Sequence, residues 1–240
     1  MKNLLTHIVV SLVGLALSVF PASAQKPTSE KFKHAIERSE DSARLLSLLA
    51  QPNSGLPSGL MAKARIVAVF PRASRQDALV RRFLQGYGVI SSRQDSGWSS
   101  SAFYQFTSAP RKFSGSSDET LAVILFFLNE DALSWFEDGK SKFKGERAAL
   151  LGPVNGPESK AQAPEAQIVA YTYYNGKLNA SNVDPDFFRD FILDQDNNIN
   201  EPLYGARGRE VLAGRKVDSA SLPSGISAFQ EALQKYCPAR

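Results

Sequence analysis

Near the middle of this 240-residue chain stand eight consecutive apolar residues, Leu121-Ala-Val-Ile-Leu-Phe-Phe-Leu128. A helix needs roughly 20 apolar residues to cross a bilayer, so eight belong inside a folded core. Their β-branched and aromatic content favours a strand buried on both faces over a core helix segment.

The remaining patterns predict what surrounds that strand. Arg65-Ile-Val-Ala-Val-Phe70 reads as a strand stopped by Pro71, and Tyr87–Ile90 and Trp98–Phe106 read as further short strands. Ala166–Tyr174, Asn175-Gly176 and Lys177–Val183 form a β-hairpin pattern, because Asn-Gly supplies the two positive φ values of a tight turn. Helical spacing of Phe32, Ile36, Ser39, Ala43, Leu46 and Ala50, widened by Leu45, Leu48 and Leu49, predicts an amphipathic helix ahead of a Pro- and Gly-rich loop at 52–59. Short helices are predicted at Glu130–Phe136, with Asn129 as N-cap and Gly139 as the stop, and at Pro185–Leu193. Ile226, Phe229, Leu233 and Tyr236 predict a last helix within Ser224–Tyr236. Strands outnumber helices without regular βα alternation, so the expected class is α+β, mainly an antiparallel sheet with helices at both ends of the chain.

The first 24 residues read as a secretory signal: Lys2, an apolar stretch from Leu4 to Phe20 interrupted by Thr6, His7, Ser11 and Ser18, then Ala22 and Ala24 before Gln25. Cleavage after Ala24 is the expectation, with a periplasmic or secreted destination. The organisation predicted is a signal peptide at 1–24, an N-terminal helical segment at 25–55, a main domain at 56–214 and a C-terminal helical tail at 215–240.

Cleavage sharpens a scarcity. The chain holds two histidines and one cysteine, and losing His7 leaves only His34 and Cys237. A catalytic zinc site or a Ser-His-Asp triad has too few members to draw on, and one cysteine makes no internal disulfide, so burial must hold the core. His34, beside Lys31, Lys33 and Arg38, reads as a solvated histidine on a charged helix face.

Other motifs are equally thin. Gly86-Tyr-Gly-Val-Ile-Ser91 lacks the third glycine of a dinucleotide fingerprint and leads into a strand, so its glycines read as a turn or a closely approached strand. Ser141-Lys-Phe-Lys144 matches a Ser-x-x-Lys nucleophile without the companion Lys-Thr-Gly. Asp194–Glu201 has alternating oxygen side chains like a calcium loop, but Ile199 stands where Gly is needed and Gly205 where a bidentate Glu is needed; it reads as a polar surface turn. Asp184, Asp186, Asp190 and Asp194 offer carboxylates with nothing to single out a pair. No catalytic residue, metal site or cofactor is predicted.

Basic residues near apolar segments are the remaining signal. Lys31, Lys33 and Arg38 lie on the first helix, Lys63, Arg65, Arg72, Arg75, Arg81 and Arg82 flank the first strand, and Lys140, Lys142, Lys144 and Arg147 form another cluster. Loss of Lys2 leaves 27 basic against 24 acidic residues, too small an excess for a nucleic-acid binder. Each basic side chain near an anionic bilayer contributes about 1 kcal/mol, so clusters of four to six matter for membrane attachment. Lys31, Lys33, Arg65, Arg72, Arg75, Arg81 and Arg82 are the candidate lipid-binding residues.

Between Leu60 and Gly214 stand Ala64-Arg-Ile-Val-Ala-Val-Phe-Pro71, Gly86-Tyr-Gly-Val-Ile90, Gly97-Trp98 followed by Phe103, and Leu125–Asn129 with Ala132-Leu133. Gly145, Gly152-Pro153, Gly156, Ala170-Tyr-Thr-Tyr173, Gly176, Asp194, Asn197 and Tyr204-Gly205 follow. In the order of these pieces the chain resembles the SYLF domain family. It departs at Ser74–Phe83, Arg111–Ser117 and Asn179–Asn182, where the family has glycines. The resemblance implies an exported, non-enzymatic module that binds phospholipid or an anionic membrane surface. Actin, the partner of eukaryotic relatives, is not expected outside the cytosol. The residues leave open an envelope protein-interaction or structural module, and a hydrolase using carboxylates or Ser141 with Lys144.

Overall fold

The computed structural model describes residues 32–57, 59–78, 81–110, 120–152, 166–179 and 184–238; the predicted signal segment and Lys31 lie outside them. The helices are α1 (Lys33–Leu49), α2 (Leu60–Lys63), α3 (Asn197–Tyr204), α4 (Gly208–Leu212) and α5 (Ala228–Tyr236). The strands are β1 (Ile66–Ala78), β2 (Arg81–Gln94), β3 (Gly97–Trp98), β4 (Ala102–Ser108), β5 (Thr120–Phe127), β6 (Lys140–Lys144), β7 (Ala149–Leu151), β8 (Ile168–Tyr174), β9 (Lys177–Leu178) and β10 (Asp190–Gln195). They form one sheet in the order β6-β10-β4-β2-β1-β5-β8-β7, with β3 beside β2 and β9 beside β8. Every pairing is antiparallel except β7 with β8, so the α+β class expected from the pattern is the class observed.

The two edge strands of that order, β6 and β7, are neighbours in the chain, joined through a 3-10 turn at Gly145–Arg147, so the sheet curls back on itself. Four strands separate β5 from β6 in the order, yet the rings of Phe127 and Phe143 lie 5.6 Å apart across the enclosed space. The result is nearly a barrel.

Strand alternation sorts residues into two cores. Ile66, Ala68, Phe70, Ile90, Tyr104, Phe106, Leu125, Phe127, Phe143, Phe191 and Leu193 point into the barrel. Phe143 stacks on Phe191 at 4.8 Å, and Phe106 lies 5.5 Å from both Phe70 and Phe191. Phe136, Phe187 and Phe188, from two short 3-10 turns, complete the filling. The opposite parity, Val67, Val69, Val89, Phe103, Ile124, Phe126, Val169 and Tyr171, packs outward under α1 and α5. β5 serves both cores, and only Thr120 at its start is exposed, as its unbroken apolar run predicts.

The roof is built from both ends of the chain. α1 buries Ala35, Ser39, Ser42, Leu45, Leu46 and Leu49, a face turned from the expected stripe: Ile36 and Ala43 are half-buried and Leu48 is 45% exposed. The cause is α5, whose approach is met by small residues. Ser39 Oγ donates to the Ile226 carbonyl at 2.7 Å and accepts from the Phe229 N–H at 3.2 Å. At the far end Trp98 Nε1 donates to the Cys237 carbonyl at 2.8 Å, and the Arg93 guanidinium, 4.5 Å over the Trp98 ring, donates to the carbonyls of Ala64, Cys237 and Pro238. The segments expected as a leading helix and a tail therefore form one layer.

Local expectations fare unevenly. Asn175 and Gly176 have φ of 47° and 80°, the tight hairpin turn, although β9 runs only two residues and 180–183 lie outside the described residues. The predicted helix at 130–136 is one 3-10 turn, Ala132–Trp135, entered by an Asn129 Oδ1 that accepts the Asp131 N–H at 2.7 Å. The segment 185–193 is a turn, Pro185–Phe188, and then strand: Phe191 and Leu193 alternate into the barrel, a period-two pattern masked by the preceding Phe-Phe pair. Trp98–Phe106 divides at 99–101 into β3 and β4.

Candidate functional site

Pro71 does not stop β1; it sits in a bulge. Register against β2 and β5 slips between Val69 and Arg72 and between Phe70 and Ala73. A bulge spares proline's missing N–H from the ladder, and one extra residue reverses the facing of everything beyond it. Strict alternation from Ile66, Ala68 and Phe70 would turn Arg72 into the barrel. The bulge gives that position to Ala73 and turns Arg72 out towards α1. Gly88 makes the close approach possible: a Cβ there would lie 2.0 Å from the Val69 carbonyl oxygen and 2.7 Å from Phe70 Cα. The Gly86-Tyr-Gly88 motif is thus a closely approached strand, one of the two roles its residues suggested.

Arg72 meets a charge on α1. Asp41 accepts from Arg72 at 2.6 Å and from Arg44 at 3.0 Å, its two oxygens serving one guanidinium each. The arginine side chains are 65% and 71% exposed, Asp41 only 18%. Asp41 and Pro71 also border two cavities that meet end to end along α1. One, about 180 Å³, lies between Arg38, Arg72 and Tyr87. The other, about 260 Å³, runs between Leu45 and Leu48 of α1, Leu121 and Ala122 of β5, and Tyr173 and Tyr174 before the hairpin turn. Tyr87 is 45% exposed, with the Arg38 guanidinium 4.7 Å over its ring, and Arg38 is bound to Asp196 at 2.8 Å. The groove therefore has cationic and aromatic side chains at one end and aliphatic and tyrosine side chains at the other.

Of the seven basic residues singled out from the sequence, Lys31 lies outside the described residues and the other six do not form one patch. Lys33 is exposed on the first turn of α1. Arg65 is seven positions from Arg72, about 20 Å along the strand. It is ion-paired with Glu130 and borders a separate polar cavity with Lys63 and Arg93. On the β1–β2 arm, Arg75 stands opposite Leu84, so Arg75 and Arg82 share the barrel-facing parity, whereas Arg81 shares the parity of Tyr87 and Val89 and is exposed. Among the described members of the set, Arg72 borders the groove, Lys33 is exposed on α1, and Arg81 lies six positions before Tyr87, about 20 Å away along β2. Arg44 is the residue missed. Its signal was its place three residues after Asp41 on a helix, which sets the two side by side.

The alternative chemistries meet physical obstacles. β6 alternates exposed and buried residues, so Ser141 points inward, its Oγ accepting the Glu137 N–H at 2.9 Å, while Lys144 points outward. Three residues apart on a strand, they face opposite sides and cannot act as a pair. Asp194–Glu201 is no surface turn but the junction of β10 and α3. Asn200 is buried and clamps Phe103, donating to its carbonyl at 2.9 Å and accepting its N–H at 2.8 Å; Asn197 accepts the Gly208 N–H at 3.1 Å, and Asp194 binds Lys140 at 3.2 Å. These oxygens are engaged by the fold. His34 is exposed, Nδ1 3.3 Å from Glu37, and burial pushes the Cys237 thiol up to about 12 against the opposing effect of Arg93. Among the described residues no three His, Cys, Asp or Glu side chains gather as a metal site, and no helix is long and apolar enough to cross a membrane.

The fold and groove define an α+β protein with a ring-filled, nearly closed barrel and an amphiphilic groove on its outer side. No family model and no curated protein matches the chain.

Proposed function

We propose that this chain is an exported, non-enzymatic module of the SYLF type that associates with phospholipid at an anionic membrane surface, using the outer flank of α1. The observation that carries this reading is the convergence of two exposed guanidiniums, Arg44 and Arg72, on one carboxylate at the end of an apolar groove. Barrels that hold a small ligand keep an open interior, whereas this one is filled with phenylalanine rings, so lipid is met on the outside. The apolar face of α1 lies in the core, so attachment works through the flank of the helix and not by laying that face in the bilayer. At about 1 kcal/mol per basic residue near an anionic surface, Arg44 and Arg72 supply reversible, salt-sensitive attachment.

Co-sedimentation of the mature protein with vesicles tests this directly. Binding to phosphatidylcholine vesicles containing phosphatidylglycerol, lost as salt rises, is the expected result. Absence of binding to vesicles of any composition overturns it.

A further inference from the structure

The groove carries a narrower conclusion, which rests on the membrane reading above. Asp41 joins two elements far apart in sequence: its carboxylate accepts Arg44 Nη1 from its own helix at 3.0 Å and Arg72 Nη2 from the β1 bulge at 2.6 Å. A guanidinium offers five N–H donors in a rigid fork, and each arginine spends one on Asp41. Both side chains are otherwise largely exposed. Within this trio one carboxylate meets two guanidiniums, leaving one positive charge; Arg38 is taken by Asp196, and Glu37, one turn before Asp41, is hydrogen-bonded to His34 and adds a carboxylate to the same cavity. Two forks held side by side suit the several oxygens of one phosphate group, which guanidinium binds through parallel hydrogen bonds.

The adjoining surface says what that phosphate is attached to. The cavity sharing Asp41 and Pro71 is bordered by Leu45, Leu48, Leu121 and Tyr173. At about 260 Å³ it is smaller than the roughly 300–1,000 Å³ of a cleft that encloses a whole small ligand, so it accepts part of a molecule whose remainder stays elsewhere. We infer that Arg44 and Arg72, yoked by Asp41, form a phosphate site for the headgroup of a single anionic phospholipid. The apolar cavity takes the adjoining part of that lipid while its chains remain in the bilayer.

The test separates forked recognition from diffuse attraction. In the full chain, the double substitution Arg44→Lys/Arg72→Lys keeps both charges but replaces each fork by a point charge, and binding to phosphatidylglycerol-containing vesicles falls about tenfold. Leu48→Ser keeps every charge and weakens binding about threefold through lost apolar contact. Arg65→Lys, at the separate polar cavity, binds as the parent does. Excess inorganic phosphate competes only weakly, because it lacks the apolar half. Both arginines are exposed, so the thermal midpoint of the double variant stays at the parent value and shows that the fold is intact. If the double variant binds like the parent, attraction is diffuse and the site is wrong while the membrane reading stands. If inorganic phosphate competes as well as the lipid does, the apolar half of the site is wrong. If the parent binds no vesicle at all, the membrane reading itself fails and the site falls with it.

Discussion

The inside and the outside of this curled sheet use the same strands for opposite purposes. Inside, rings from Phe70, Phe106, Phe127, Phe143 and Phe191 interlock at centroid distances of 4.8 to 5.6 Å, closed and wholly apolar where they meet. Outside, aliphatic residues mixed with Phe103, Phe126 and Tyr171 carry a roof of α1 and α5 fastened by polar contacts at its two ends: Ser39 at one, Arg93 and Trp98 at the other. Such a roof leaves flanks, and the groove lies along one of them. The barrel interior is filled, and access belongs to the roof's margin.

That contrast can be broken in graded steps. Phe143→Ala removes a ring that touches Phe127, Phe136 and Phe191, and chemical denaturation should show a loss of about 3–5 kcal/mol. Gly88→Ala sets a methyl against the Val69 carbonyl inside the bulge; a loss of about 3 kcal/mol is expected, with weakened vesicle binding as Arg72 is displaced. Ser39→Ala leaves the buried Phe229 N–H and Ile226 carbonyl without this partner and should cost about 2 kcal/mol, loosening the roof while the barrel persists. The smallest effect belongs to Arg65→Ala: its ion pair with Glu130 is solvent-exposed, so less than about 1 kcal/mol should be lost.

Cys237 reports on the roof alone. It is buried beneath the Arg93 clasp, and its thiol, pushed up to about 12 by burial, keeps in the folded chain a proton that the unfolded chain releases near 8.5. The folded state therefore binds the extra proton between those values. This contribution is complete below the unfolded value and is lost as pH rises through about 12. Alkylation at pH 8 should be slow in the parent and faster in Arg93→Ala, where the clasp on the last helix is cut; equal rates would show that Arg93 does not hold that end down.

Much of the barrel was legible because its signals are local. The run at Leu121–Leu128 announced a strand with two buried faces, Asn175-Gly176 a tight turn, and the spacing from Ile226 to Tyr236 the last helix. What escaped depends on contacts across the chain. Pro71 looked like a terminus because nothing near it declares a bulge, whose counterpart, Gly88, is seventeen residues away. The basic residues looked like one cluster in linear order, but strand parity and the bulge dispersed them: Arg72 turned out, Arg75 and Arg82 to the other side, Arg65 to the far end. Arg44 escaped because its importance comes from Asp41 and Arg72, which only the packing of α1 on β1 brings together.

The central claim is that lipid is met at the outer flank and not enclosed by the barrel. Native mass spectrometry of the protein, purified from cells and washed in high salt, tests it most directly. The predicted result is bare protein, with vesicle binding that salt reverses; one acyl lipid retained per chain after the wash would contradict it.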